Sequence, residues 1–316
     1  MAATADFVAA QKENRRNTMV LLMLLTALAA LVGYLIGWIL ETEGSDTMPA
    51  VSALGIGAAG VMAAISVGWS LISLAVGDRM VLSMAGANQI EQQDAPQLFN
   101  VVEEMSIASG VPMPKVMVME TDALNAFATG NRVGSGTIVV TRGLLDTLSR
   151  DELQGVVAHE MSHLANLDTR YMVVVGVTMG LIALVCDMSL RTLNWGSMQR
   201  RDDSKGKSGG GILIVVLLVV AILAPLAAKA VQMAVSRQRE YLADATSVQF
   251  TRNPAGLISA LGKLAEKAAP FPGVSRATQH LFIVNPIHEF TSKTPALLAT
   301  HPDIADRIAR LRALGS

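Results

Sequence analysis

His159, Glu160 and His163 belong to the run His-Glu-Met-Ser-His. On a helix, positions i and i+4 share one face, so two imidazoles one turn apart can hold the same divalent metal. Glu160, beside the first histidine, then reaches a water activated by that metal and acts as its general base. The chemistry is hydrolysis. A surface helix with an incidental histidine pair would spell the same motif, but polar residues would surround it. Here the flanks are Val156-Val157-Ala158 and Leu164-Ala165, and the motif takes two of the chain's five histidines.

A catalytic zinc takes a third protein ligand and keeps one position open. The residues after His163, from Leu164 to Thr169, exclude a third histidine at the metzincin spacing. The single cysteine, Cys186, lies in an apolar run. It can form neither a disulfide within the chain nor a thiolate site. A carboxylate from a later helix is the remaining source, and Arg239-Glu240-Tyr241-Leu242-Ala243-Asp244 is the best candidate. Glu240 and Asp244 lie one turn apart. Glu240 would be the ligand, and Asp244 would orient a ligand histidine from behind. The same spacing also fits a solvated acidic face, or partners for Arg237 and Arg239, and spacing alone leaves both open. Asp168 and Asn166 read as structural helix contacts. His280 and His288 have no motif around them.

The elements that must position these residues belong partly to a membrane. Apolar residues make up 51% of the 316 and charged residues 16%, where soluble domains carry about 25% charged. Mean hydropathy is +0.43. A net charge of −1 gives no support to a nucleic-acid partner. Four apolar stretches stand out: 18–40, 51–76, 171–190 and 212–228, against the roughly 20 residues that cross a bilayer as a helix. The first is too long for a signal peptide and lacks a small-residue cleavage site, so a retained anchor is expected. Lys12, Arg15 and Arg16 precede it, and Glu41, Glu43 and Asp46 follow it, which puts the N-terminus in the cytoplasm. The third and fourth stretches carry Asp187, Pro225 and Lys229, and a basic loop with Arg200 and Arg201 separates them. Whether that pair crosses fully is left open.

The expected fold class is mainly α with a small β-sheet: an integral membrane protein with about four transmembrane helices and a zincin-like cytoplasmic catalytic domain. The expected organisation is an anchor over 1–77, the first catalytic half over 78–170, a membrane hairpin over 171–235 and the second catalytic half over 236–316. Pro96 opens a helix to about Ser109. Lys115–Glu120 and Thr137–Thr141 are β-type runs. Ser149 with Glu152 is a capping box ahead of the metal motif. Helices are expected near 236–250, 254–267 and 302–314.

At this point the sequence resembles the HtpX-type branch of the membrane zinc peptidases, relatives of the CAAX prenyl endopeptidase. The likeness covers most of the chain. It rests on HEMSH with a later E-Y-L-A-D-A, on Asn125-Ala-Phe-Ala-Thr-Gly130, on the V-V-T-R-G-L-L run at Val139, and on Thr300-His301-Pro302 with Arg307. The resemblance implies that Glu240 is the third ligand to one zinc per chain. It implies that Asn125, Ala126 and Phe127 line a substrate groove, against the plain reading of a loop or strand between Met119 and Thr137. By the same resemblance His301 stabilises the oxyanion and Arg307 pairs with an acidic group near the metal. An ordinary helix-start histidine and a solvated arginine are the plain readings of those two. The implied function is a zinc endopeptidase of the inner membrane, multi-pass, its active site facing the cytoplasm, acting on membrane or misfolded proteins in quality control. A narrow-specificity processing peptidase is the alternative among enzymes. A non-catalytic membrane scaffold is the alternative outside them, and it predicts a broken ligand or base position. Substrate identity and oligomeric state are not legible.

Overall fold

The computed structural model describes residues 7–43, 49–130, 132, 134–175, 237–266 and 302–314. They divide into two compact units. One contains residues 18–43 and 49–73; the other contains 7–17, 74–175, 237–266 and 302–314.

The first of these holds the greater part of two long helices, α1 (Phe7–Glu43) and α2 (Ala53–Ala85). Glycines let the two backbones approach closely. A Cβ on Gly33 would lie 2.6 Å from the Ala58 carbonyl oxygen, and one on Gly37 2.6 Å from that of Leu54. Further along, Thr26 and Ser66 share a hydrogen bond of 3.3 Å, so the helices run antiparallel. The start of α2 is capped. The Ser52 hydroxyl accepts from the Gly55 amide at 2.7 Å and donates to the Glu41 carboxylate. Large apolar side chains such as Met23, Leu31, Ile56, Val61, Ile65 and Leu71 point outward. Lys12–Trp38 and Ala53–Ala85 are long and apolar enough to cross a membrane, with mean hydropathies of 2.6 and 1.9. Of the third and fourth apolar stretches only 171–175 is described, and it is helical; the remainder and the basic loop lie outside the described residues.

The other unit is built on a four-stranded sheet. Its strands are β1 (Asn88–Gln89), β2 (Lys115–Met119), β3 (Ala126–Thr129) and β4 (Thr137–Thr141), in the order β1-β2-β4-β3. β2 and β4 pair in parallel, with Met117 opposite Val139. β3 pairs antiparallel with β4, with Phe127 opposite Val139. The Asn125 segment is therefore partly an edge strand. Of the two central strands, β4 is β-branched and buried throughout and β2 is mostly buried, which suits a sheet covered by helices.

Around the sheet stand α3 (Pro96–Ser109), α4 (Arg142–Thr147), α5 (Arg150–Asn166), α6 (Arg237–Thr251), α7 (Pro254–Glu266) and α8 (Ile304–Leu314). Proline at the first turn of α3 and left-handed Gly110 after its last (φ 70°) follow the usual start and stop chemistry. One core joins Leu98 and Val102 of α3, Val118 and Val140 of the sheet, Val157 and Met161 of α5, and Leu257 and Leu261 of α7.

Candidate metal centre

α5 runs through the middle of this core, and almost every residue from Glu152 to Asn166 is buried. A polar helix in that position needs firm ends. The Ser149 hydroxyl accepts from the Glu152 amide, and the Glu152 carboxylate accepts from the Ser149 amide at 2.7 Å, the capping box read from the sequence. Glu152 also accepts from Ser259 at 2.6 Å and Lys263 at 2.7 Å, tying α7 to the start of α5. The helices touch backbone to backbone, since a Cβ on Gly155 would lie 2.6 Å from the Leu257 nitrogen.

The far end of α5 carries the histidines. Nε2 of His159 lies 3.3 Å from Nε2 of His163. Glu240 of α6 brings Oε2 to 3.7 Å from the first nitrogen and Oε1 to 3.6 Å from the second. A tetrahedral zinc with bonds of about 2.0–2.1 Å has ligand-to-ligand edges of about 3.3 Å; the two nitrogens match that edge, and with one Glu240 oxygen the three ligand atoms lie within 4.8 Å of one another, a group that could hold such an ion. His159, His163 and Glu240 are the one such group among the described residues.

Each histidine is held from behind. His159 Nδ1 donates to Asp244 Oδ1 at 3.0 Å, and His163 Nδ1 to Asp168 Oδ2 at 2.9 Å. A carboxylate on Nδ1 leaves the Nε2 lone pair for a metal. Arg307 of α8, fully buried, grips Asp244 with two bonds, Nη2 to Oδ1 at 2.7 Å and Nε to Oδ2 at 2.9 Å. Its Nη1 lies 3.4 Å from Glu240 Oε2.

Glu160, Asp168, Glu240 and Asp244 are buried carboxylates, and Arg307 is the buried cation among them. Those five formal charges sum to −3, and a divalent cation brings the sum to −1. Burial pushes the Glu160 carboxyl up to about 7; Glu240 adds to the rise, while His163, Arg307 and the Ala128 backbone amide oppose it. For His163, burial pushes down, but the hydrogen bond it donates to Asp168 and the charges of Glu240, Asp168 and Glu160 carry it up to about 9. Burial and the Arg307 charge lower His159 against the pull of Asp244.

The residues singled out in the sequence thus divide into three sets. His159, Glu160, His163, Glu240, Asp244 and Arg307 come together in one buried cluster. Asn125, Ala126 and Phe127 lie at the sheet edge, and the next residue, Ala128, hydrogen-bonds Glu160 through its backbone. His301, His280, His288 and Cys186 lie outside the described residues. Arg239 stacks on Tyr171, its guanidinium 4.5 Å from the ring centre. Asp168 corrects the reading of a plain helix contact, because it holds His163. Leu167 ends α5 in the left-handed region (φ 58°) and turns the chain so that Asp168 faces back. A glycine there would have signalled the turn; a leucine did not.

The buried His-His-Glu group is compatible with the metal site of a metalloprotease. A profile of peptidase family M48 matches residues 92–314. A protein of Thermoanaerobacter pseudethanolicus named "Protease HtpX homolog" is 38% identical over 304 residues, 96% of each chain. Namesakes from Caldanaerobacter subterraneus and Streptococcus agalactiae are 40% and 41% identical, the latter over 95% of this chain and 97% of its own. The crystal structure of S. mikatae Ste24p aligns with 95% of this chain and 66% of that one, at 19% identity and a TM-score of 0.48. The chain belongs to peptidase family M48, and the HtpX-type resemblance read from its motifs holds.

Proposed function

We propose that this protein is a zinc-dependent endopeptidase of the inner membrane that hydrolyses peptide bonds in membrane or misfolded proteins. The observation that carries the reading is the convergence of His159, His163 and Glu240, with one ligand atom of each within 4.8 Å of the others and both imidazoles fixed by carboxylates. Zinc held there would polarise a substrate carbonyl and acidify a water. Glu160 takes the proton from the attacking water and returns it to the leaving amine. A carboxyl raised to about 7 suits both halves of that task. Asp168 and Asp244 keep the imidazoles oriented, and Arg307 holds Asp244 in place.

An extended substrate adds to the edge strand beside Asn125, Ala126 and Phe127, in the manner of β-augmentation. The Ala128 amide ties that edge to Glu160 and supports this placement. His301 hydrogen-bonds the carbonyl oxygen as charge develops; its support is the family resemblance. The two apolar helices and the basic residues before the first support a membrane anchor with the site on the cytoplasmic face.

The test compares full-length wild type with Glu160→Gln in detergent on an unfolded substrate, with zinc content measured for both. The expected result is about one zinc per chain in each, with cleavage lost in the variant by at least ~100-fold. A variant that cleaves at the wild-type rate sinks the assignment of Glu160.

A further inference from the structure

Asn14 lies in α1 ahead of its long apolar run, 152 residues before Asn166. It carries no motif, yet its side chain is 6% exposed. Its Nδ2 donates to Asp168 Oδ1 at 2.7 Å and to the Asn166 carbonyl at 3.0 Å. The amide has two N–H donors, and the two bonds use both. Turned the other way, the group would set its oxygen against a carboxylate and a carbonyl, so the chemistry fixes its orientation.

The two oxygens of Asp168 are thereby divided. Oδ1 takes Asn14, and Oδ2 takes Nδ1 of His163 at 2.9 Å. Asp168 follows a left-handed residue at the end of α5, outside the regular helix that fixes the histidines. Its carboxylate can turn about the side-chain bonds, and the bond from Asn14 restrains that rotation. A neutral amide does so without cancelling the carboxylate's charge, leaving it a strong acceptor for the imidazole N–H.

We propose that Asn14 is a positioning residue of the metal centre: the N-terminal helix orients one ligand histidine through Asp168. The inference rests on the metal reading above. It makes the start of the membrane anchor a working part of the site.

The experiment uses the full chain in detergent and measures zinc affinity by competition with a chromogenic chelator, alongside the visible spectrum of the cobalt-substituted protein. Asn14→Leu keeps the branched four-atom side chain and removes both donors. Zinc binding is expected to weaken by about 10-fold or more, the cost of losing an outer partner of a ligand, with a shifted cobalt spectrum. In an Asp168→Ala background the same change is expected to add less than about 2-fold, because its route is gone. Asn14→Asp, of equal size, serves as the second variant and is expected to weaken zinc further by setting a carboxylate against Asp168. Zinc affinity unchanged in both single variants, or a full effect of Asn14→Leu without Asp168, overturns the proposal. A wild-type chain that binds no zinc overturns the metal reading and this inference together, whereas zinc-loaded protein without cleavage bears on the reaction alone.

Discussion

The two histidines sit one turn apart on the same helix, yet they are held in opposite electrical surroundings. Behind His159 stand Asp244 and then the Arg307 guanidinium. Behind His163 stand Asp168 and then the neutral amide of Asn14. Arg307 lies 3.4 Å from His159 as well, so burial and its charge both lower that imidazole. At His163 the hydrogen bond to Asp168 and the charges of Glu240, Asp168 and Glu160 outweigh burial, and it rises to about 9. Equivalence in a motif is therefore not equivalence in a pocket. The guanidinium behind His159, which no spacing rule names, is one source of that difference.

Removing Arg307 should break the comparison most severely. Arg307→Ala leaves Asp244 buried without its partner, at a cost of about 3–5 kcal/mol. A large drop in melting temperature together with loss of zinc is expected, and near-wild-type stability would show that the guanidinium is dispensable. A finer contrast comes from the carboxylates themselves. Asp168→Asn and Asp244→Asn should each weaken zinc binding by about 10–100-fold. Asp244→Asn should also destabilise the metal-free fold, because it strands a buried guanidinium, while Asp168→Asn leaves only a neutral neighbour. Equal melting temperatures for the two would erase the distinction.

Glu152 sharpens the contrast as a carboxylate that caps rather than buttresses. Burial raises its carboxyl, but Lys263, Ser259 and Ser149 outweigh that and bring it to about 2. A depressed folded value means stability that is present above about pH 4.5 and lost as pH falls toward 2. Glu152→Gln should flatten that part of the acid unfolding curve and leave zinc affinity unchanged at neutral pH. A variant with the wild-type acid limb would count against the capping network.

Much of the scaffold was legible because its signals are local. Pro96, the Ser149–Glu152 box and the β-branched run 137–141 each fix an element within four or five residues. The His159–His163 spacing needed only the helical repeat. Ala126–Thr129 was harder, since four small or apolar residues suit a loop as well as an edge strand, and pairing with β4 decides it. Arg307 was reached through the family resemblance and not through spacing, for it meets His159 across 148 residues. Asp168 was misread because a leucine, not a glycine, makes the left-handed turn before it. Asn14 gave no signal at all: a lone polar residue near a basic segment is ordinary until the fold brings it to Asp168.

The burial of Arg307 also has a consequence in time. Chains emerge from N- to C-terminus at about 5–20 residues per second, and Arg307 follows His159 by 148 residues. The motif helix is therefore made roughly 7–30 s before the cation that completes its surroundings. For that interval the nascent chain carries His159, Glu160 and His163 without the grip that steadies Asp244. The order of synthesis itself delays the finished cutting site until the last helix has been made.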